Sequence, residues 1–116
     1  MNIIITGGSG LIGKALSVRL VDDGHQVVIL TRAPELVKDA LPGVRLQKWD
    51  GKTAQGWVHL LDDTDAIVNL AGENLSAGRW TDARKQSIRD SRVNSGRAVV
   101  EAVKSSRRKP AVLIQA

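Results

Sequence analysis

Residues 3–13 read Ile-Ile-Ile-Thr-Gly-Gly-Ser-Gly-Leu-Ile-Gly, an apolar run that leads straight into a glycine-rich turn. Three β-branched residues in succession favour a strand buried on both faces of a parallel sheet. Gly7 permits a tight turn, Gly10 lets the backbone approach a pyrophosphate, and Gly13 lets the next helix pack closely on the strand. The amides at the N-terminus of that helix would hold the phosphate. The stretch therefore predicts a nucleotide-binding strand–turn–helix unit rather than a purely structural turn.

Apolar runs alternate with helical patterns along the rest of the chain, which is typical of βαβ units. The patterns predict strands at 2–6, 26–30, 44–49, 66–70 and 111–114. They predict helices at 11–23, 34–40, 53–61 and 82–105, with Thr81 as the cap of the last one. We therefore expect one α/β domain over residues 1–116, a Rossmann-type, doubly wound parallel sheet in three layers with strand order 3-2-1-4-5. Ligands bind such sheets at the switch point, here between strands one and four.

The two longer helices are expected to bury one stripe each. On the first helix we expect these residues to face the sheet: Leu11, Ala15, Val18 and Leu20. On the last helix we expect this stripe: Ile88, Ser95, Val99, Ala102 and Val103.

Composition and charge narrow the functional classes. The chain has 116 residues and no cysteine, which suits a single domain and excludes disulfides and thiolate metal sites. No apolar run approaches the roughly 20 residues of a membrane span, and no leader precedes the first strand, so we expect a cytoplasmic protein with no membrane partner. Residues 79–109 hold ten Lys or Arg against three Asp or Glu, but the chain has only three aromatic residues, all Trp. A solvated basic helix is therefore favoured over a nucleic-acid partner.

The end of strand two indicates which dinucleotide is bound. An acidic residue there accepts the ribose hydroxyls of NAD, whereas an arginine accommodates the 2′-phosphate of NADP. This strand ends in Thr31 and Arg32, with no carboxylate, so NADP is favoured over NAD. Arg32 offers a planar fork for phosphate and Thr31 a hydroxyl donor. The alternative is an ordinary exposed loop arginine.

Two sequence blocks carry a family resemblance. Residues 6–13 resemble the fingerprint of the extended short-chain dehydrogenase/reductases, which include nucleotide-sugar epimerases and dehydratases. Residues 69–75, 78–80 and 91–92 are similar to the branch called epimerase family proteins. The resemblance implies that Arg92 lies near the cofactor cleft and that Asp50 contacts the adenine amine, although Asp50-Gly51 also reads as a plain turn. The predicted cofactor-binding residues are Thr6, Gly7, Ser9, Gly10, Leu11, Ile12, Gly13, Thr31, Arg32, Asp50, Leu70, Ala71, Gly72 and Arg92.

The resemblance also implies catalytic groups that this chain lacks. Enzymes of the superfamily use a Tyr-x-x-x-Lys pair, and the chain contains no tyrosine. We therefore predict no catalytic residue here, and interpret the chain as the N-terminal, NADP-binding part of a longer epimerase or oxidoreductase, inactive alone. Its small-molecule substrate would be a nucleotide-sugar or a related compound, and a homodimer stays open. The alternative function is a non-catalytic NADPH sensor. His25 and His59 lack metal-ligand spacing, so no metal is predicted.

Overall fold

A five-stranded parallel sheet forms the centre of the computed structural model, which describes residues 1–7, 11–36, 42–70 and 81–115. The strands run in the order β3-β2-β1-β4-β5, and every neighbouring pair is parallel. This order confirms the predicted doubly wound topology. The strands are β1 (Asn2–Thr6), β2 (Gln26–Thr31), β3 (Val44–Lys48), β4 (Ala66–Asn69) and β5 (Val112–Gln115).

Two α-helices, α1 (Leu11–Asp22) and α2 (Asp82–Ser105), cover opposite faces of the sheet. The bounds of α2 confirm the predicted 82–105. Its predicted cap is also confirmed, because the Thr81 hydroxyl accepts a hydrogen bond from the Arg84 amide at 3.0 Å. None of the helices in the described ranges is long and apolar enough to cross a membrane.

The side chains of the central strand β1 pack into the hydrophobic clusters on both faces of the sheet. Ile3 and Ile5 join the cluster beneath α1, whereas Ile4 points to the opposite face and joins the cluster beneath α2. All three isoleucines are buried, so the prediction of a strand covered on both faces is confirmed. Four residues of the predicted stripe of α2 are buried and Val103 is half-buried at its edge, while Ala98, which was not predicted, is fully buried.

The predicted sheet-facing stripe of α1 is wrong at two of its residues. Ala15 and Val18 are exposed, whereas Leu16, Ser17 and Leu20 turn toward the sheet. Ser17 is fully buried, and its hydroxyl donates to the Gly13 carbonyl at 2.7 Å. Since this bond satisfies the hydroxyl inside its own helix, a small polar residue can occupy the interface where the hydropathy pattern favoured valine. Leu20 is confirmed, and the side chain of Leu11 lies outside the description.

The helix predicted at 53–61 is wrong, and the helix predicted at 34–40 is described only over its first three residues. The helix predicted at 53–61 is a turn followed by a 3-10 helix, Val58–Asp63. Gly56, inside the predicted helix, has a φ of +89°, which an α-helix cannot accommodate. A continuous α-helix over residues 53–61 is therefore excluded. The helix predicted at 34–40 is a 3-10 turn over Pro34–Leu36, and residues 37–41 lie outside the described ranges.

Candidate functional site

The carboxyl ends of β1 and β4 lie side by side at the middle of the sheet. The Leu70 amide donates to the Thr6 carbonyl at 3.1 Å, which extends the β1–β4 ladder past the end of β4. Gly7 follows with a φ of +70°, confirming that this glycine makes the turn out of β1. The chain then continues to α1 on one face, and after β4 to α2 on the other. This is the switch point at which doubly wound sheets open a ligand crevice.

A polar network joins the carboxyl ends of three strands, with its β1 and β4 members buried and its β5 member exposed. Thr6 and Asn69 are fully buried, and the Thr6 hydroxyl donates to the Asn69 side-chain carbonyl. The Asn69 amide nitrogen donates to the Gln115 side-chain oxygen at 2.9 Å. Thr6 is a predicted cofactor-binding residue, whereas no prediction connected it with Asn69 or Gln115. A detectable signal existed, since a polar residue ends each of three apolar strands.

Arg32 directly follows β2 and lies at the tip of that strand. It is exposed, and within the described ranges its guanidinium has no hydrogen bond or ion pair to the protein. Its stem lies beside Gly51, because a methyl group added there would lie 3.4 Å from Arg32 Cδ. The neighbouring Thr31 hydroxyl accepts from the Ala33 amide at 3.3 Å and keeps its own hydrogen available to donate. The tip of β2 can therefore present a planar cation and a hydroxyl to an anion.

The Asp50 carboxylate closes the turn that follows β3. One oxygen accepts from the amides of Lys52 and Thr53, at 2.8 and 2.7 Å, and the other accepts from the Thr53 hydroxyl at 2.7 Å. The hydroxyl bond first, and then the two amide bonds, lower the pKa of the Asp50 carboxyl below its ordinary value. Of the two interpretations of Asp50, the structure therefore shows the turn. The adenine contact stays a prediction.

The remaining predicted residues divide by position. Gly13 is buried within the first turn of α1, Leu70 is half-buried, and Ile12 is exposed in the same turn of α1. Ser9, Gly10, Ala71 and Gly72 lie outside the described residues.

Arg92 is exposed in the middle of α2, and no described contact of its side chain connects it with the other predicted residues. The described residues also contain no cluster of three or more His, Cys, Asp or Glu that could hold a metal ion.

Comparison with protein families gives a match over nearly the whole chain. Residues 3–116 match the family model described as the NAD dependent epimerase/dehydratase family. The epimerase family protein YfhF of Bacillus subtilis is 38% identical, over 100% of this chain and 37% of its own length. The epimerase family protein SH2119 of Staphylococcus haemolyticus is 35% identical, over 97% of this chain and 36% of its own. The chain thus spans about a third of the length of the curated relatives it matches.

Solved structures agree with the fold. The crystal structure of the human epimerase family protein SDR39U1 with NADPH is 27% identical, has a TM-score of 0.69, and is matched over 97% of this chain and 35% of its own. The UDP-N-acetylglucosamine 4-epimerase of Bacillus cereus is 25% identical, with a TM-score of 0.59, over 88% of this chain and 32% of its own. A uronate dehydrogenase of Agrobacterium tumefaciens complexed with NAD, at 18% identity and a TM-score of 0.66 over 90% of this chain and 37% of its own, shares the fold alone.

Proposed function

Because the chain belongs to the NAD dependent epimerase/dehydratase family, we propose that it is the cofactor-binding part of a longer epimerase or oxidoreductase and that it prefers NADP(H) to NAD(H). Members of the family bind a nicotinamide dinucleotide, which supplies hydride transfer when bound. One observation carries the preference for NADP(H): Arg32 stands exposed at the tip of β2 with no protein partner in the described ranges.

The chemistry of the 2′-phosphate suits this arginine. A guanidinium can form two parallel charge-assisted hydrogen bonds to a phosphate, and these are stronger than bonds between neutral groups. The ribose hydroxyls of NADH would instead need an acceptor, and β2 ends without a carboxylate. The human relative was crystallised with NADPH, while a neighbour in fold holds NAD, so the fold by itself does not select the cofactor. The selection depends on the residue at the tip of β2.

The rest of the dinucleotide would lie along the switch point. The turn at Gly7 and the first turn of α1 would direct amides at the pyrophosphate, with the dipole of α1 favouring the negative charge. Leu70 and the residues after it would carry the backbone past the adenosine. Ser9, Gly10, Ala71, Gly72 and Arg92 remain predicted contacts in this proposal.

Catalysis would belong to the longer protein. This chain has no tyrosine, so the acid–base group of the superfamily would come from residues outside it, and the chain alone is expected to be inactive. A nucleotide-sugar or related small molecule is the proposed substrate, while a cytoplasmic location and a homodimer remain predictions. The second candidate is a non-catalytic NADPH sensor that signals through its basic helix, α2. A Tyr-x-x-x-Lys pair downstream in the full reading frame would favour the enzyme, and its absence there the sensor.

Calorimetric titration of the folded chain with NADPH and NADH tests the proposal. We expect tighter binding of NADPH, and Arg32→Asp should weaken it roughly tenfold to a hundredfold, since a charged hydrogen-bond pair contributes about 1.5–3 kcal/mol. Binding of NADH should change by less than about threefold, as it lacks the phosphate. Arg107→Asp is the matched control, because Arg107 is also an exposed arginine. It follows α2, and its amide donates to Asp62, which precedes β4 and so lies toward the amino ends of the strands, away from the tip of β2.

The titration has two outcomes that contradict the proposal. Equal losses for both dinucleotides in Arg32→Asp would exclude Arg32 as the residue that recognises the phosphate. A folded chain that binds neither dinucleotide would contradict cofactor binding by this part of the protein.

A further inference from the structure

We propose that the turn at residues 50–53, here called the platform turn, determines the cofactor preference by positioning Arg32. In this inference Asp50 is a positioning residue that acts on Arg32 through the turn. The inference rests on the proposed function, because it names the group that orients the proposed phosphate-binding arginine. It is carried by three independent sets of contacts, which concern the closure of the turn, its attachment to the core, and the arginine beside it.

The platform turn is closed by its own side chains. Three donors from Lys52 and Thr53 converge on the Asp50 carboxylate, within 2.7 to 2.8 Å. Gly51, which lies between Asp50 and Lys52, has a φ of +77°, a conformation that other residues rarely adopt. The Thr53 hydroxyl accepts in turn from the Gln55 amide at 3.2 Å. These bonds restrict the backbone of the turn.

Two buried tryptophans attach the platform turn to the core at both ends. Trp49 precedes the turn, and its amide donates to the Thr31 carbonyl at 3.1 Å, next to Arg32 in sequence. Trp57 is fully buried, and its indole nitrogen donates to the Thr53 carbonyl at 3.0 Å. The two rings meet edge to face, with their centroids 5.9 Å apart. The position of the turn relative to the tip of β2 is therefore set by packing.

Arg32 rests on this support. A Cβ atom built on Gly51 would lie 3.4 Å from Arg32 Cδ and 3.9 Å from Cγ, so the stem of the arginine lies beside the glycine, on the side where a side chain would project. An arginine on a bare loop would lose much of its rotamer freedom when it binds phosphate. A stem that already lies on a rigid turn has fewer orientations to lose. The platform turn therefore should increase affinity for the ligand that the guanidinium recognises and leave other ligands unaffected.

Removal of the Asp50 carboxylate distinguishes this inference from two simpler ones. If Asp50 holds the adenine amine, Asp50→Ala weakens NADPH and NADH equally, since both contain adenine. If Asp50 acts only as a nearby negative charge, its removal strengthens NADPH binding. If Asp50 positions Arg32, Asp50→Ala weakens NADPH by roughly fivefold to twentyfold, a coupling of ordinary size for neighbouring residues, and leaves NADH within about twofold. Only the third pattern supports the inference.

The test is a double-mutant cycle measured by calorimetry on the folded chain. NADPH and NADH are titrated into the parent, Asp50→Ala, Arg32→Ala and the double variant. We expect Asp50→Ala to have no further effect on NADPH once Arg32 is absent, and a full additional loss in the double variant would overturn the inference. Thr53→Val keeps the Asp50 charge and removes one bond to it, so it should show a smaller loss in the same direction. An unchanged NADPH affinity in Thr53→Val would also count against the inference.

Failure of the proposed function gives a different pattern. If Arg32→Ala itself leaves NADPH affinity unchanged, Arg32 does not recognise the phosphate, and the cofactor proposal fails with it. If Arg32→Ala weakens NADPH while the variants of the platform turn do not, the cofactor proposal stands and only the positioning role is lost.

Discussion

Replacing Trp57 by phenylalanine tests how firmly the segment after β3 is attached to the core. Trp57 has no exposed surface, packs edge to face on Trp49, and donates from its indole nitrogen to the Thr53 carbonyl. Phenylalanine keeps an aromatic ring in the same pocket and removes both the donor and part of the buried area. The change is small enough for the protein to stay folded, since domains of this size are stable by about 5–15 kcal/mol.

The expected loss of stability has two parts. A lost neutral hydrogen bond costs about 1 kcal/mol. The phenyl ring also lacks two of the indole carbons, which at about 0.8 kcal/mol for each buried carbon adds about 1.6 kcal/mol. The free energy of unfolding should therefore fall by about 2.6 kcal/mol. Trp49→Phe is the matched control, because Trp49 is buried too, but its indole nitrogen has no hydrogen bond within the described ranges, so it should lose only the area part.

Urea denaturation followed by far-ultraviolet circular dichroism measures both variants. With a slope of about 2 kcal/mol per M, the midpoint should fall by about 1.3 M for Trp57→Phe and by about 0.8 M for Trp49→Phe. Equal midpoints at equal slopes would refute the reasoning, since the bond from Trp57 to Thr53 would then contribute nothing.

Three further predictions concern stability. Thr81→Ala removes the hydroxyl cap of α2 and should lower the free energy of unfolding by about 1 kcal/mol, measured by urea denaturation. Alanine should have opposite effects at two glycines that both have open space around them. Gly24→Ala should destabilise the protein by about 1 kcal/mol, because φ there is +87°, whereas Gly96→Ala should stabilise α2 by about 0.5–1 kcal/mol. Shifts of the melting temperature with the same sign in both variants would contradict this. The hydrogen bond from the Arg108 side chain and, after it, the bond from the Asn2 amide lower the pKa of Asp65 in the folded protein. The Asp65 carboxylate therefore stabilises the fold at pH values above its unfolded pKa, and this stabilisation is lost as the pH falls through its lower folded pKa. Asp65→Asn should therefore flatten the acid limb of the stability–pH curve.

Local patterns determined the elements because their causes are local. The isoleucines of β1, the glycine after it and the threonine that caps α2 each act within a few residues of their own position. Alternation of strands and helices then leaves few topologies, and the doubly wound order is one of them. The same local reasoning failed where a nearby residue opposed the pattern, as with the backbone of Gly56 in the predicted helix and the buried hydroxyl of Ser17 in α1.

The amino-acid sequence by itself determined the class of fold, the switch point and the arginine at the tip of β2, because periodicity, glycine spacing and residue type are read along the chain. Only the tertiary structure decided that Asn69 joins Thr6 and Gln115, and that the stem of Arg32 lies beside Gly51. These contacts join residues far apart in sequence. They depend on strand register and side-chain packing, which no local pattern specifies.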